Sequence, residues 1–86
     1  LWPELLTAER LLAEHRGVQV GIWAAGPGVG SDVEVDEVFV VLAGEGSVTF
    51  EDGSRIDLRP GVSVQLKEGD RTTWDITKRL TKLYVI

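Results

Sequence analysis

With 86 residues the chain is long enough for one small domain, and no apolar run approaches the roughly 20 residues that a membrane-spanning helix needs. The lack of such a run also means that we expect no membrane partner, and because the net charge of −5 repels phosphate backbones and the nine Lys and Arg residues are scattered, we expect no nucleic acid either. The absence of Cys excludes disulfides and thiolate sites and is compatible with the cytoplasmic location that we predict.

The first segment, residues 1–16, has the composition of a helix. Apolar residues recur there at helical spacing, at Leu1, Leu5, Ala8 and Leu12. Gly17 would end the helix, and the single histidine, His15, would lie at its end, where a cation interacts favourably with the helix dipole. The pattern therefore predicts a short N-terminal helix, with a structural role for His15.

From Val18 onward, short runs of β-branched and aromatic residues alternate with Gly, Asp, Ser and Pro. We predict strands at 18–25, 37–43, 47–51, 55–58, 62–66, 71–76 and 82–86, with a further short strand near 33–35. The Gly-rich stretch 24–31 is interpreted as a flexible loop at a barrel rim. The sequence thus predicts one domain over 1–86, with an all-β barrel over 18–86.

Two blocks of the sequence resemble the two conserved motifs of the cupin superfamily. In the first block, DEVFVVLAGEGSVTF, six residues separate Glu37 from Gly44, as in the first motif of that family. In the second, RPGVSVQLKEGDRTTW, Gly61 opens a strand and Gly69 lies in the turn after it. The stretches GIWAAGPG, RTTWDI and TKLYVI narrow the resemblance to the subgroup of ureidoglycine aminohydrolase-like, ethanolamine-utilisation-like and DUF861 proteins.

The resemblance implies an RmlC-like jelly-roll barrel, a double-stranded β-helix, with a ligand cavity in its mouth. Metal-binding cupins hold a divalent ion with two His and one Glu of the first motif and one His of the second. Here only Glu37 matches those ligands, and the position of the second-motif His falls at about Thr72. One carboxylate does not hold a transition metal tightly, so we predict no metal and no cofactor.

Three further carboxylates precede Glu37. Asp32, Glu34 and Asp36 could supply oxygen ligands for Ca²⁺ or Mg²⁺. Their alternation with Val33 and Val35 is more typical of the solvent-exposed face of a strand. We therefore expect these three side chains to lie on the surface.

Period-two alternation places Glu37, Phe39 and Val41 on one face of their strand, and the resemblance makes that face the barrel lumen. Desolvation raises the pKa of a carboxyl group in an apolar cavity unless cations or donors compensate. Glu37 is therefore the candidate catalytic residue, as an acid, a base or a ligand anchor. The alternative is a structural carboxylate bonded to Thr72 or to a Lys or Arg.

The remaining candidate site residues would line the same lumen as ligand-binding groups. They are Trp23, Phe39, Gln65, Thr72 and Trp74. An aromatic pocket with a carboxylate and a few hydroxyls or amides suits a small polar organic molecule. The alternative is that the two tryptophans fill the interior of a small barrel.

Val38, Val40 and Leu42 lie on the opposite face of the Glu37 strand, so both of its sides are expected to be buried. The helix or a second subunit would cover the outer side, and we predict a homodimer. Three functions stay open: a metal-free cupin that binds a small molecule or is structural, an enzyme resembling the ureidoglycine aminohydrolases that acts on a small nitrogenous or carboxylated metabolite, and a dimerisation or assembly module. Fold alone does not decide between them or show that the chain is an enzyme.

Overall fold

A computed structural model of the chain describes residues 7–86, and every regular element in that range is a β-strand. The strands are β1 (Thr7–His15), β2 (Val18–Ala25), β3 (Gly28–Val33), β4 (Glu37–Phe50), β5 (Arg55–Leu58), β6 (Ser63–Leu66) and β7 (Arg71–Val85). The described range contains no helix long and apolar enough to cross a membrane. The predicted all-β architecture of residues 18–86 is confirmed.

The predicted N-terminal helix is wrong over the residues that the structure describes, and its first six residues lie outside them. β1 pairs antiparallel with β2, from Thr7 opposite Ala25 to His15 opposite Val18. Arg16 and Gly17 close the hairpin with φ angles of 51° and 83°, as a tight two-residue turn requires. Strand pairing therefore overrides the helical propensity of this segment, and His15 lies exposed on a strand.

Two long strands, β4 and β7, run through both layers of the barrel. The second half of β7 pairs with β2 and with the first half of β4, which also pairs with β6. The first half of β7 pairs with β3 and with the second half of β4, which also pairs with β5. The result is a jelly-roll arrangement with one layer of β1, β2, β7, β4 and β6 facing one of β3, β7, β4 and β5.

The bend in β4 explains why the sequence suggested two strands there. Register shifts interrupt the pairing of β4 with β7 between Val41 and Gly46, around the gap between the predicted strands 37–43 and 47–51. Gly44 has a φ of 96°, and a Cβ at this position would overlap the carbonyl oxygen of Arg79. Glycine therefore lets the strand bend between layers without ending it. β7 likewise joins the two predicted strands at 71–76 and 82–86.

The segment before β4 differs from its prediction in two ways. The Gly-rich stretch interpreted as a flexible loop forms much of β3, which runs from Gly28 opposite Ile76 to Val33 opposite Arg71. The short strand expected near 33–35 is therefore displaced toward the N-terminus. β3 matters for the site because it brings Asp32 opposite Thr72 at one end of the barrel.

The hydrophobic core lies between the two layers. It contains Ala25, Phe39, Val41, Val48, Leu58, Val64, Leu66, Trp74, Ile76, Leu80 and Tyr84, all at most 3% exposed. On the outside of the barrel, Val38 and Leu42 are 50% and 49% exposed. The outer side of β4 is thus open within residues 7–86, because β1 extends the sheet beside β2 instead of covering β4 as a helix.

Candidate functional site

A cavity of about 240 Å³ opens at one end of the barrel. Its lining comes from β1, β2, β3, β4, β7 and the residues that join or follow them: Glu9, Trp23, Asp32, Glu34, Glu37, Trp74, Lys82, Tyr84 and Ile86. Four of these side chains carry carboxyl groups, three are aromatic and one is an amine. Such a mixture of apolar walls and converging polar groups is typical of small-molecule sites.

The innermost polar feature of the cavity is an ion pair between β4 and β7. The Lys82 Nζ lies 2.6 Å from Glu37 Oε2, and the two side chains are only 8% and 10% exposed. This bond gives the inward-pointing carboxylate a lysine partner, as the interpretation of Glu37 as a structural carboxylate required. In a buried pair of this kind each charge offsets part of the desolvation cost of the other.

Three aromatic rings surround the same ammonium group. The Nζ of Lys82 lies 4.4 Å from the ring centroid of Phe39 and 5.0 Å from those of Trp23 and Trp74. The rings also pack on one another, with Trp74 5.6 Å from Phe39 and 6.0 Å from Trp23 between centroids. Each ring face offers negative charge to the cation, so the Lys82 side chain is held both by a carboxylate and by π electrons.

Glu34 lies in the cavity wall and is only 8% exposed, so the prediction that it faces solvent is wrong. Its Oε2 accepts hydrogen bonds from Thr72 Oγ1 at 2.6 Å and from Trp74 Nε1 at 3.2 Å. Burial raises the pKa of this carboxyl group above its usual value, and the hydrogen bonds from Thr72 and Trp74 partly lower it again. Of the nearby charges, that of Asp32 raises the pKa and that of Lys82 lowers it.

Tyr84, on β7, also lines the cavity. Its hydroxyl donates a hydrogen bond to Glu9 Oε2 on β1, and its ring lies where Gly21 leaves room in β2. The bond to the Glu9 carboxylate, followed by burial and the charges of Glu9 and Glu37, raises the pKa of Tyr84 to about 12. The hydroxyl therefore stays protonated and ties the edge strand to the cavity wall.

The structure brings together four of the five predicted ligand-binding residues. Trp23 and Trp74 line the cavity, Phe39 is 1% exposed behind Lys82, and Thr72 is 3% exposed and bonded to Glu34. Gln65 is exposed between the buried Val64 and Leu66, so it points away from the lumen and the prediction that it lines the pocket is wrong.

The carboxylates before β4 serve separate partners. Asp32 Oδ1 accepts a bond from its neighbour Val33 N, and Asp36 Oδ1 accepts one from Glu68 N, 2.7 and 2.9 Å away. Within residues 7–86, no three His, Cys, Asp or Glu side chains come together in a way that could hold a metal ion. The donor set therefore does not fit the metal of metal-binding cupins, because the cation beside Glu37 is the ammonium of Lys82.

Sequence reasoning missed four residues of the cavity lining, Glu9, Lys82, Tyr84 and Ile86, and expected two more, Asp32 and Glu34, on the surface. Glu9 was assigned to a helix, which hid its place beside the barrel mouth. Lys82 and Tyr84 share a strand face with the fully buried Leu80, so period-two alternation around that leucine could have placed both inside.

Comparisons with known proteins agree with this fold. The model of the EutQ-like cupin domain matches residues 12–84, which is most of the chain. The chain belongs to the EutQ-like cupin family. The resemblance inferred from its motifs is therefore confirmed. No curated protein matches the sequence.

Solved structures share the fold of this EutQ-like cupin at low sequence identity. The Clostridium difficile EutQ protein aligns over 96% of this chain and 68% of its own, with 14% identity and a TM-score of 0.80. A putative ethanolamine utilization protein Q from Salmonella typhimurium covers 92% of this chain and 67% of its own, at 19% identity and a TM-score of 0.76. A DUF861 family protein from Thermotoga maritima covers 73% of each chain, at 26% identity and a TM-score of 0.68.

Proposed function

We propose that this EutQ-like cupin is a metal-free binding protein for a small polar organic molecule that enters the barrel cavity. The observation that carries the proposal is the cavity itself, in which aromatic walls and carboxylates converge on one buried ammonium. Its volume of about 240 Å³ lies below the roughly 300 to 1,000 Å³ typical of sites for drug-sized ligands, so a metabolite is the appropriate size.

The bond between Glu37 and Lys82 supports binding rather than catalysis by Glu37. An acid or base must exchange its proton with a substrate, whereas this carboxylate is held at 2.6 Å by an ammonium on the neighbouring strand. The ion pair instead gives the cavity a rigid floor. Fixed polar groups reduce the ordering cost of binding, which favours a preformed site.

The proposal is tested by elemental analysis combined with a melting-temperature screen of small polar metabolites. We expect no stoichiometric metal and at least one metabolite that raises the melting temperature of the wild type. Trp23→Leu should abolish the rise, because it removes a cavity wall, whereas the matched surface change Val29→Ala should not, since Val29 is 64% exposed on β3. A stoichiometric transition metal, or a rise that persists in Trp23→Leu, would contradict the proposal.

A second proposal concerns the outer side of the sheet, where we propose that a second copy of the chain packs. Val85 on β7 lies opposite both Val38 on β4 and Val20 on β2, and next to this row Leu83 lies opposite Ile22 and Val40. Val38 and Val85 are 50% and 39% exposed. An uncharged aliphatic face is complementary to itself, as a two-fold interface requires.

Sedimentation or light scattering decides the dimer proposal. We expect a dimer for the wild type and a monomer for Val38→Asp, because the variant buries a charge at the centre of the interface. Val29→Asp is the matched control, since Val29 is also exposed but lies on β3 in the other layer. A monomeric wild type, or loss of the dimer in the control alone, contradicts the proposal.

A further inference from the structure

We infer that the molecule bound in the cavity is a small organic cation, recognised through a protonated amine. The inference rests on the proposed binding function and names the chemical class of its ligand. It is carried by the balance of charges in the cavity, by an available oxygen of Glu34 and by the way the cavity already holds one ammonium.

The charges that line the cavity do not balance. Among residues 7–86, Glu9, Asp32, Glu34 and Glu37 supply four carboxyl groups to the lining, and Lys82 is its single basic residue. The Lys82 ammonium is paired with Glu37, so three acidic groups remain around the mouth and wall. In a partly enclosed site, where water screens charges weakly, this excess attracts a cation and opposes an anion.

Glu34 supplies a specific acceptor for that cation. Both of its hydrogen bonds use Oε2, and Oε1 accepts none from the residues that the structure describes. Among those residues, no buried side-chain oxygen lacks a partner, so Oε1 must reach accessible space, and the cavity is the space that Glu34 lines. A carboxylate whose other oxygen is fixed by Thr72 and Trp74 presents Oε1 in a defined direction.

Lys82 shows that these walls accommodate an ammonium group. Its Nζ is held by one carboxylate oxygen at 2.6 Å and by three ring faces at 4.4 to 5.0 Å. The cavity wall beside Glu34 is built from the same kinds of group, since Trp23 and Trp74 line the cavity together with this carboxylate. Carboxylate and indole faces together favour a cation over a neutral group of the same shape.

The opposite charge class fits less well. An anionic ligand could reach Lys82, but it would have to approach past Glu9, Asp32 and Glu34. Like charges placed side by side in an interface carry a high energetic cost. The cavity therefore discriminates between the two classes by repelling anions as well as by attracting cations.

Three probes of similar size and different charge test the inference: propylammonium, 1-propanol and propionate. Binding is followed at pH 7 through the indole N–H signals of a ¹⁵N-labelled protein, with Trp23 and Trp74 assigned by Trp→Phe variants. We expect propylammonium to shift the signals of both cavity tryptophans and to saturate, with the other two probes binding at least about tenfold more weakly.

The outcomes separate the ligand class from the binding function. Equal binding of all three probes, or preference for propionate or propanol, would overturn the cation inference and leave the cavity a binding site. If no probe binds and the metabolite screen also finds nothing, the binding function itself fails.

Two variants locate the amine. Glu34→Gln keeps an oxygen acceptor for Thr72 and Trp74 but removes the charge, so we expect propylammonium to bind about tenfold more weakly. Glu45→Gln is the matched control, because Glu45 pairs with Lys78 outside the cavity and its loss should leave binding unchanged. Asp32→Asn provides an independent second change if Glu34→Gln folds poorly. Unaltered amine binding in the folded cavity variants would overturn the assignment.

Discussion

The inner and outer faces of β2, β7 and β4 reverse the usual distribution of polar and apolar residues at the cavity end. On the inner face, Lys82 and Tyr84 are 7% and 3% exposed and each is bonded to a carboxylate. On the outer face, Val38 and Val85 are 50% and 39% exposed. Adjacent residues of one strand thus serve two surfaces, because side chains alternate along a strand. Buried charge is tolerated inside since each group has a partner.

The largest difference in stability between inner-face and outer-face variants is expected from breaking the inner ion pair. Lys82→Met leaves the Glu37 carboxylate, 10% exposed, without its cation. Removing one partner of a buried pair typically lowers the free energy of unfolding by about 3 to 5 kcal/mol. Urea denaturation at pH 7 measures the loss.

Two controls show whether charge or packing is responsible. The double variant Glu37→Gln with Lys82→Met removes both charges and should recover most of the stability. On the outer face, Leu83→Met should cost less than about 1.5 kcal/mol, because it conserves volume. A Lys82→Met protein as stable as the Leu83→Met protein would contradict the role that we assign to the pair.

A smaller effect is expected from filling the space beside Tyr84. A Cβ on Gly21 would overlap the hydroxyl and ring of Tyr84, so Gly21→Ala must displace the ring or the strand. We expect a loss of about 1 to 3 kcal/mol in the free energy of unfolding, as for other overpacked sites. Gly26→Ala, where a Cβ has nothing within 4 Å, should stay within about 0.5 kcal/mol of the wild type. Equal costs for the two variants would show that Tyr84 does not pack on Gly21.

Glu34 provides a pH-dependent test of the inner face. Its pKa is raised in the folded state, so the folded protein holds this proton more tightly than the unfolded chain. The stability that Glu34 contributes is therefore full below the ordinary pKa of a Glu and is lost as pH rises through the raised value. We expect the stability of Glu34→Gln, relative to the wild type, to improve between about pH 4 and pH 7.

The matched control for this measurement is Glu45→Gln. Hydrogen bonding and the charge of Lys78 lower the pKa of Glu45, so its contribution appears as pH rises and is lost as pH falls. The stability of Glu45→Gln relative to the wild type should therefore move in the opposite direction, by a smaller amount at an exposed site. Urea denaturation of the three proteins across the pH range compares them, and a flat difference for Glu34→Gln would show that its carboxyl group is not perturbed.

The sequence predicted those parts of the site that follow from alternation and the cupin motifs. Glu37 and Trp74 fall inside because each alternates with apolar residues on a strand that the sequence pattern marks clearly. Lys82 was missed because lysine in a strand usually faces water, and only the three-dimensional register brings it to Glu37. The sequence analysis placed Glu34 on the surface because it alternates with Val33 and Val35, which a sequence pattern assigns to the buried face. In the structure the two valines are exposed and Glu34 is buried. Such errors arise where burial reverses the ordinary preference of a side chain.

The smallest expected effect is a change in the pKa of Tyr84 when its bond to the edge strand β1 is removed. The chain has a single tyrosine, so its absorbance titration reports on this hydroxyl alone. We expect ionisation with a pKa of about 12, because the hydroxyl donates to the Glu9 carboxylate and ionisation would place two negative charges side by side. Glu9→Gln should lower that pKa toward the ordinary value of about 10. Since Glu9 reaches Tyr84 only while β1 pairs with β2, an unchanged pKa in Glu9→Gln would mean that burial, not the edge strand, protects the hydroxyl.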